Sequence, residues 1–312
     1  MGQIVFVAAM SHTAQMICAA DALDERQSRD IYGAWRTLRA RLEEAHPDAL
    51  IVAASDHFKT FHLDDMPAFS VGIGDKTRAW GEAGVPKYEI PMHRELGEAL
   101  VDGLLNEGFD VAYSRDMPLD HGFACPLHFI TPKMSVPIVP IFINCFAPPL
   151  PAMRRCLGLG QAIAKLVMRS TAASRVAIIG TGGLSHWLPL PRFGAGANED
   201  DEKIIAAMMH AGDDDTYSQI LYRRIGQISQ AGTARVNEKF DHEVMNALGS
   251  GNAAALAERG TDWVEEHGGN AGQEIRNWIF AAGAAGDHLA EVIAYQPVPR
   301  WLTGIGFMQW RI

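Results

Sequence analysis

Val176-Ala177-Ile178-Ile179-Gly180-Thr181-Gly182-Gly183-Leu184-Ser185-His186 reads as an apolar run, a short turn and a histidine. The same order occurs twice more. Ile4-Val5-Phe6-Val7-Ala8-Ala9 leads into Ser11-His12, and Ala49-Leu50-Ile51-Val52-Ala53-Ala54 leads into Asp56-His57. Short β-branched runs bounded by turn residues predict buried strands. In an open α/β sheet, ligands bind beyond the carboxyl ends of the strands. Three imidazoles from distant parts of the chain are therefore offered to one rim of one sheet. A metal or catalytic centre is assembled in this way.

The intervening segments extend the pattern. Ile31, Trp35, Leu38 and Leu42 recur at helical spacing, which predicts a helix over about residues 25–45, ending before Pro47. It joins the first two histidine strands as a βαβ unit. A second amphipathic helix is predicted over 92–107, stopped by Gly108. A strand near Val111-Ala112-Tyr113 and a loop over 116–122 follow. The run from Val136 to Asn144 reads as another strand, and Pro137 and Pro140 predict an edge position or irregular pairing for it. A helix over about 152–170 precedes the third histidine strand. Residues 200–290 read as mostly helical, with breaks at Gly249-Ser250-Gly251 and Gly268-Gly269-Asn270. Pro297–Leu302 reads as an irregular aromatic cover over the rim. The expected fold is α/β: a central, mostly parallel or mixed sheet flanked by helices, with a helical C-terminal third covering the site. One domain over residues 1–312 is expected.

Composition narrows the function classes. The 312 residues are 48% hydrophobic and 21% charged, as in ordinary globular proteins. A net charge of -10 argues against nucleic-acid binding, which needs a basic surface. No stretch reaches membrane-spanning length, and the start of the chain lacks a basic signal-peptide region. The four cysteines (Cys18, Cys125, Cys145, Cys156) form no CxxC pair. A disulfide framework and a thiolate zinc site are thus not expected, and a cytoplasmic location is.

His12 and His57 are the leading metal-ligand candidates. Each follows a strand directly, where the backbone is stiff, and neutral imidazole suits iron, zinc, copper or nickel. A single such histidine would read as a loop cap, whereas two at equivalent positions favour a site. The glycines before His186 match neither GxxxxGK[ST] nor GxGxxG, and GxSxG is absent as well. Their remaining use is close approach of backbone to a ligand, with Ser185-His186 held over it. His121 has Asp120 beside it, a neighbour that could raise its pKa and favour proton donation, or could simply cap a turn. The other histidines read as surface or core. Two histidines need a carboxylate. Spacing alone leaves both Glu274 and Glu243 open, with a solvated helix face as the default for either.

Together these residues resemble the class III extradiol ring-cleavage dioxygenases along nearly the whole chain. The likeness rests on Ser11-His12-Thr13, Ser55-Asp56-His57, Asp120-His121-Gly122-Phe123-Ala124 with Pro126, and Gly182-Gly183-Leu184-Ser185-His186. Pro140-Ile141-Phe142-Ile143-Asn144, Glu274-Ile275 with Trp278, and Pro299-Arg300-Trp301 add to it. The resemblance implies non-haem Fe(II) held by His12, His57 and Glu274, with His186 and His121 as acid/base residues. It implies O2-dependent cleavage of a catechol, and a homo-oligomer of single-component type that requires no separate small subunit. An acidic ring substituent is expected from the family's usual substrates and from cations such as Arg276 or Arg300. Two other classes compete: a zinc- or two-metal-dependent hydrolase using Asp56 or Asp120 as a further ligand, and a non-catalytic binding protein of the same fold.

Overall fold

The structure, a computed structural model, describes residues 1–191, 198–212 and 214–312. Strand β1 (Gln3–Met10) is followed by the short α1 (Gln15–Cys18) and the long α2 (Glu25–Ala45). Asp24 caps α2: its carboxylate accepts the Gln27 amide at 2.8 Å while the Gln27 side chain accepts the Asp24 amide at 3.2 Å. The helix buries Ile31, Ala34, Trp35, Leu38 and Leu42, and ends at His46, before Pro47. Next come β2 (Ala49–Ala54), β3 (Phe69–Gly72), β4 (Lys76–Arg78), β5 (Glu89–Pro91), α3 (Arg94–Asn106) and β6 (Ala112–Ser114). Then follow α4 (His121–Ile130), β7 (Ile138–Ile143), α5 (Met153–Arg169) and β8 (Arg175–Thr181). Five helices run in succession: α6 (Glu199–Met209), α7 (Asp214–Ala231), α8 (Glu238–Gly249), α9 (Ala253–Ala257) and α10 (Thr261–Gly268). The buried α11 (Ile275–Ala285) and strands β9 (Ala290–Val298) and β10 (Thr303–Trp310) close the chain.

Among the described residues, eight strands form the main sheet in the order β6-β3-β7-β2-β8-β1-β10-β9. β7, β2, β8 and β1 run parallel to one another, and β3 and β10 pair antiparallel to β7 and β1. The expected mixed α/β sheet is therefore present. Because β8 lies between β1 and β2, all three histidine strands are neighbours, and their carboxyl ends open on one rim. The β2 side chains are buried throughout, as expected of a strand covered on both faces.

Two readings of the sequence need correction. β7 is a central strand, so the edge position fails, while the irregular pairing expected as its alternative is found. Pro140 pairs with Val52 of β2, and the antiparallel ladder to β3 runs only from Phe69↔Ile143 to Val71↔Ile141. The proline thus sits just past the end of that ladder. Gly72 leaves room for its ring, since a Cβ there would lie 2.5 Å from Pro140 Cγ. The second concerns Pro297–Leu302: Pro297 and Val298 end β9 and Pro299–Trp301 make a 3₁₀ turn into β10, so the segment belongs to a hairpin, while Trp301 and Leu302 do cover the rim cavity as expected. The hairpin extends the sheet beyond β1. Gly304 and Gly306 break the apolar alternation of β10 because larger groups occupy their places: Asp241 packs over Gly304, while Leu184, Met245 and Trp278 pack over Gly306.

Helix α11 is the element that completes the rim. It is buried along its full length and packs between α5 and the sheet. A Cβ on Gly160 would lie 2.0 Å from Phe280 O, and one on Gly180 would lie 2.0 Å from Asn277 O. These close approaches set the helix flat on β8 and fix where its first residues emerge. No described helix is long and apolar enough to cross a membrane.

Candidate metal centre

His12, His57, His121, His186 and Glu274 all line one cavity of about 340 Å³ at the rim. Each histidine is oriented through its inner nitrogen. His12 Nδ1 is 2.8 Å from the Thr181 hydroxyl, and His57 Nδ1 is 2.6 Å from Asp120 Oδ2. His186 Nδ1 donates to Leu184 O at 2.9 Å, and His121 Nδ1 lies 3.0 Å from Glu82 Oε1. This is how metal-binding imidazoles are usually held: the inner hydrogen bond selects the tautomer and leaves Nε2 free.

Glu274 lies at the entry to α11, in a single 3₁₀ turn spanning Gly272–Glu274. Its Oε1 is 3.2 Å from His12 Nε2 and 3.7 Å from His57 Nε2, while its Oε2 is 3.7 Å from His186 Nε2. The Gly183 amide donates to Oε2 at 2.7 Å, and the Ser55 hydroxyl donates to Oε1. Trp278 Nε1 donates to Gly182 O at 2.8 Å, and Asn277 Nδ2 donates to Thr181 O at 2.9 Å. The Glu-x-x-x-Trp spacing therefore has a mechanical reason. Residues four apart share a helix face, and both grip the Gly182-Gly183 turn. The glycines do serve close approach, with Glu274 as the approaching group: a Cβ on Gly182 would lie 2.6 Å from its Cβ. Glu243 stands elsewhere, paired with Arg259 at 2.7 Å on the outer surface.

The electrostatics follow from this geometry. Burial would raise the Glu274 carboxyl, but His12, His57 and His186 outweigh it and hold it well below the usual carboxylate range. Burial, reinforced by His121, lowers His57, and burial also lowers His186. For His121 burial is overcome by the hydrogen bond to Glu82 and the field of Asp120, which push it up to about 9. Asp56 is raised to about 7 by burial and by Asp120. Its oxygens are spent on the amides of Lys59, Thr60 and Phe61 at 3.0–3.2 Å. Asp120 caps α4 through the Gly122 amide and accepts both the amide and the ring N–H of His57. Both aspartates are thus engaged by the backbone, although Asp120 also lies with Glu82 and His121 in a group whose ligand atoms are within 4.8 Å of one another.

His12 Nε2 tests whether a metal fits. It is buried and has no hydrogen-bond partner in the protein, which is costly unless something else takes its lone pair. Two imidazole nitrogens and one ionised carboxylate converging at this point suit a divalent transition metal. His121 is also close: ligand nitrogens of His12, His57 and His121 lie within 4.8 Å of one another. A protonated imidazole has no lone pair to offer, and this favours Glu274 as the third ligand.

Several partners carried no sequence signal. Glu82 belongs to no motif and reaches His121 only through the loop that follows β4. Thr181 and Ser55 lay inside the quoted motifs, but their roles needed the fold. The cations expected near the substrate are not there. The buried Arg276 guanidinium donates to Pro151 O at 2.9 Å and to Thr261 Oγ1 at 2.8 Å. Arg300 is exposed and does not line the cavity.

A mostly parallel α/β sheet with four imidazoles and one buried carboxylate at its rim defines a protein with a histidine-rich, metal-competent site. Comparison with known proteins makes this specific. The chain belongs to the family described as the catalytic LigB subunit of aromatic ring-opening dioxygenase, which matches residues 6–306. It is 33% identical over 291 residues to a 2,3-dihydroxyphenylpropionate/2,3-dihydroxicinnamic acid 1,2-dioxygenase from Photorhabdus laumondii, covering 91% of this chain and 90% of that one. The enzyme of that name from Escherichia coli (strain K12 / DH10B) is 32% identical over 305 residues, covering 94% and 93%. An uncharacterized protein from Escherichia coli K12 shares the fold, with a TM-score of 0.51 over 97% of this chain and 99% of its own, at 14% identity. Family membership places the chain among the dioxygenases of aromatic catabolism.

Proposed function

We propose that the protein is a non-haem Fe(II) enzyme that cleaves a catechol beside its diol, using O2. The observation that carries the reading is the orphaned Nε2 of His12, buried against Glu274 Oε1 at 3.2 Å with His57 Nε2 on the same oxygen at 3.7 Å. His12, His57 and Glu274 would hold the metal. When bound, Fe(II) would supply Lewis acidity toward two vicinal hydroxyls and an electron path to O2. The hydrogen bonds of the two remaining histidines support a division of the proton work between them. His186 keeps its proton on Nδ1 and presents a neutral Nε2, suited to accept a proton from a catechol hydroxyl. His121, charged and backed by Glu82, is suited to donate one during ring opening. Thr13, Leu188 and Trp301 help to wall the cavity.

We further propose that the chain acts as one domain in the cytoplasm, as a homo-oligomer without a separate small subunit. The near-complete coverage of its relatives supports the single-domain reading. The acid-substituent expectation is not carried forward, because neither Arg276 nor Arg300 reaches the cavity. The test is anaerobic Fe(II) reconstitution, then a catechol panel followed by O2 electrode and by the absorbance of a yellow ring-opened product. Iron binding with O2 uptake for vicinal diols only is expected. A fully iron-loaded protein that consumes no O2 with any vicinal diol would refute the proposal, and zinc-dependent hydrolysis would replace it.

A further inference from the structure

We propose that the cavity selects catechols with an uncharged, apolar substituent over those with an acidic one. This inference rests on the catechol reading above and deepens it. Among the described residues that line the cavity, the ionisable side chains are the four histidines, Glu274, Cys18, Tyr217 and Tyr222. None is a lysine or an arginine. The histidines and Glu274 cluster together, with the His12 ring centroid 5.5 Å from His57 and 5.6 Å from His121. They form the reactive end. Much of the remaining wall comes from one face of α7, where Tyr217, Leu221 and Ile225 stand at i, i+4 and i+8, together with Leu188 and Leu302.

Among the described residues near this wall, Arg300 is exposed and stands outside the cavity, and three other cations are engaged elsewhere. Arg223 and Arg224, the two arginines of α7, pair with Asp200 at 2.5 Å and Asp201 at 2.8 Å on α6. Lys59, near Tyr217, donates to Ser218 Oγ at 2.8 Å. A carboxylate on the ring substituent would leave water for a wall that carries hydroxyls such as those of Tyr222 and Ser229 but, among the described residues, no lysine or arginine, which is unfavourable. An alkyl or aryl group would bury its surface against the same wall at a gain. The relatives' names specify an acid side chain, so the substituent end is where this chain would diverge from them.

The test compares two catechols of matched shape: 3-(3-methylbutyl)catechol and 3-(2,3-dihydroxyphenyl)propionate, with unsubstituted catechol beside them. On the iron-loaded protein kcat/KM is expected to favour the neutral compound by at least about tenfold. Anaerobic calorimetry on the metal-free protein should give the same direction in Kd. This binding ratio decides the proposal, because it does not depend on turnover. If no catechol is cleaved, the dioxygenase reading fails while the binding ratio still judges the cavity. Equal binding, or tighter binding of the propionate, overturns the inference even if unsubstituted catechol is cleaved. Ile225→Arg supplies the missing cation and should raise the acid-to-neutral ratio by at least about tenfold. The ratio cancels any general loss of activity, and an unchanged ratio would place the substituent elsewhere and overturn the proposal.

Discussion

Asp120→Asn should separate folding from metal binding. Wild-type Asp120 is fully buried and accepts three N–H groups: the His57 amide at 2.8 Å, the His57 ring at 2.6 Å and the Gly122 amide at 2.9 Å. Asparagine keeps one carbonyl oxygen, enough to cap α4 through Gly122. Its NH2 then stands where the second oxygen accepted both His57 donors. The His57 amide loses its acceptor, at a cost of about 1–3 kcal/mol. The ring can adapt by moving its proton from Nδ1 to Nε2. That move occupies the nitrogen facing Glu274 Oε1, 3.7 Å away, and removes the lone pair a metal needs. Loss of such an orienting partner typically costs about 10- to 100-fold in metal affinity. Anaerobic calorimetric titration with Fe(II) should show that loss in a protein that still unfolds cooperatively. Asp120→Ala should instead lose about 3–5 kcal/mol of stability, as expected when a buried pair is broken. The Asp120 carboxyl is held below its ordinary 3.8, burial being outweighed by His57, His121 and His12. Its stabilisation is therefore present above that value and is lost as pH falls below it, so wild type and Asp120→Asn should converge in stability on acidification. Wild-type Fe(II) affinity in Asp120→Asn would refute the tautomer argument and, with it, the ligand role of His57 Nε2.

Further outcomes follow from the same coordinates. Glu274→Gln should abolish stoichiometric Fe(II) binding while Glu243→Gln leaves it intact, read by metal analysis after gel filtration; the reverse would exchange their roles. Gly180→Ala places a Cβ 2.0 Å from Asn277 O and should cost about 3 kcal/mol or more by lifting α11 from β8, checked by urea unfolding. Asp241 is pushed up from 3.8 to about 6 by burial, against the Tyr295 and Ser185 hydrogen bonds. A raised acid favours the fold below its ordinary value and loses that contribution as pH rises through about 6. The stability of wild type relative to Asp241→Asn should then decline from pH 4 to pH 7, and a rising difference would contradict the assignment. His186→Ala and His121→Ala should keep iron and lower turnover by about 100- to 10,000-fold; loss of iron from either would make it a ligand.

How far the site was legible depends on how local each cause is. His12, His57 and His186 could be found because a strand and the residue after it are adjacent in sequence, so a buried apolar run already places the histidine at a rim. The central position of β7 could not be found in this way. Pro140 argues locally for an edge, and only Gly72 on another strand makes the room that removes the conflict. β10 was missed for a related reason: Gly304 and Gly306 interrupt its alternation to accommodate Asp241 and Trp278, groups far away in the chain. Glu82 is the extreme case, a carboxylate in an irregular loop whose one signal is the histidine it reaches. The choice between Glu274 and Glu243 lies between these limits. Both are helical glutamates, and spacing does not rank them. What ranks them is Trp278, one turn beyond Glu274, whose indole holds the Gly182 carbonyl. The helix that supplies the carboxylate is thereby tied to the turn that supplies His186, and a surface glutamate paired to Arg259 has no such tether.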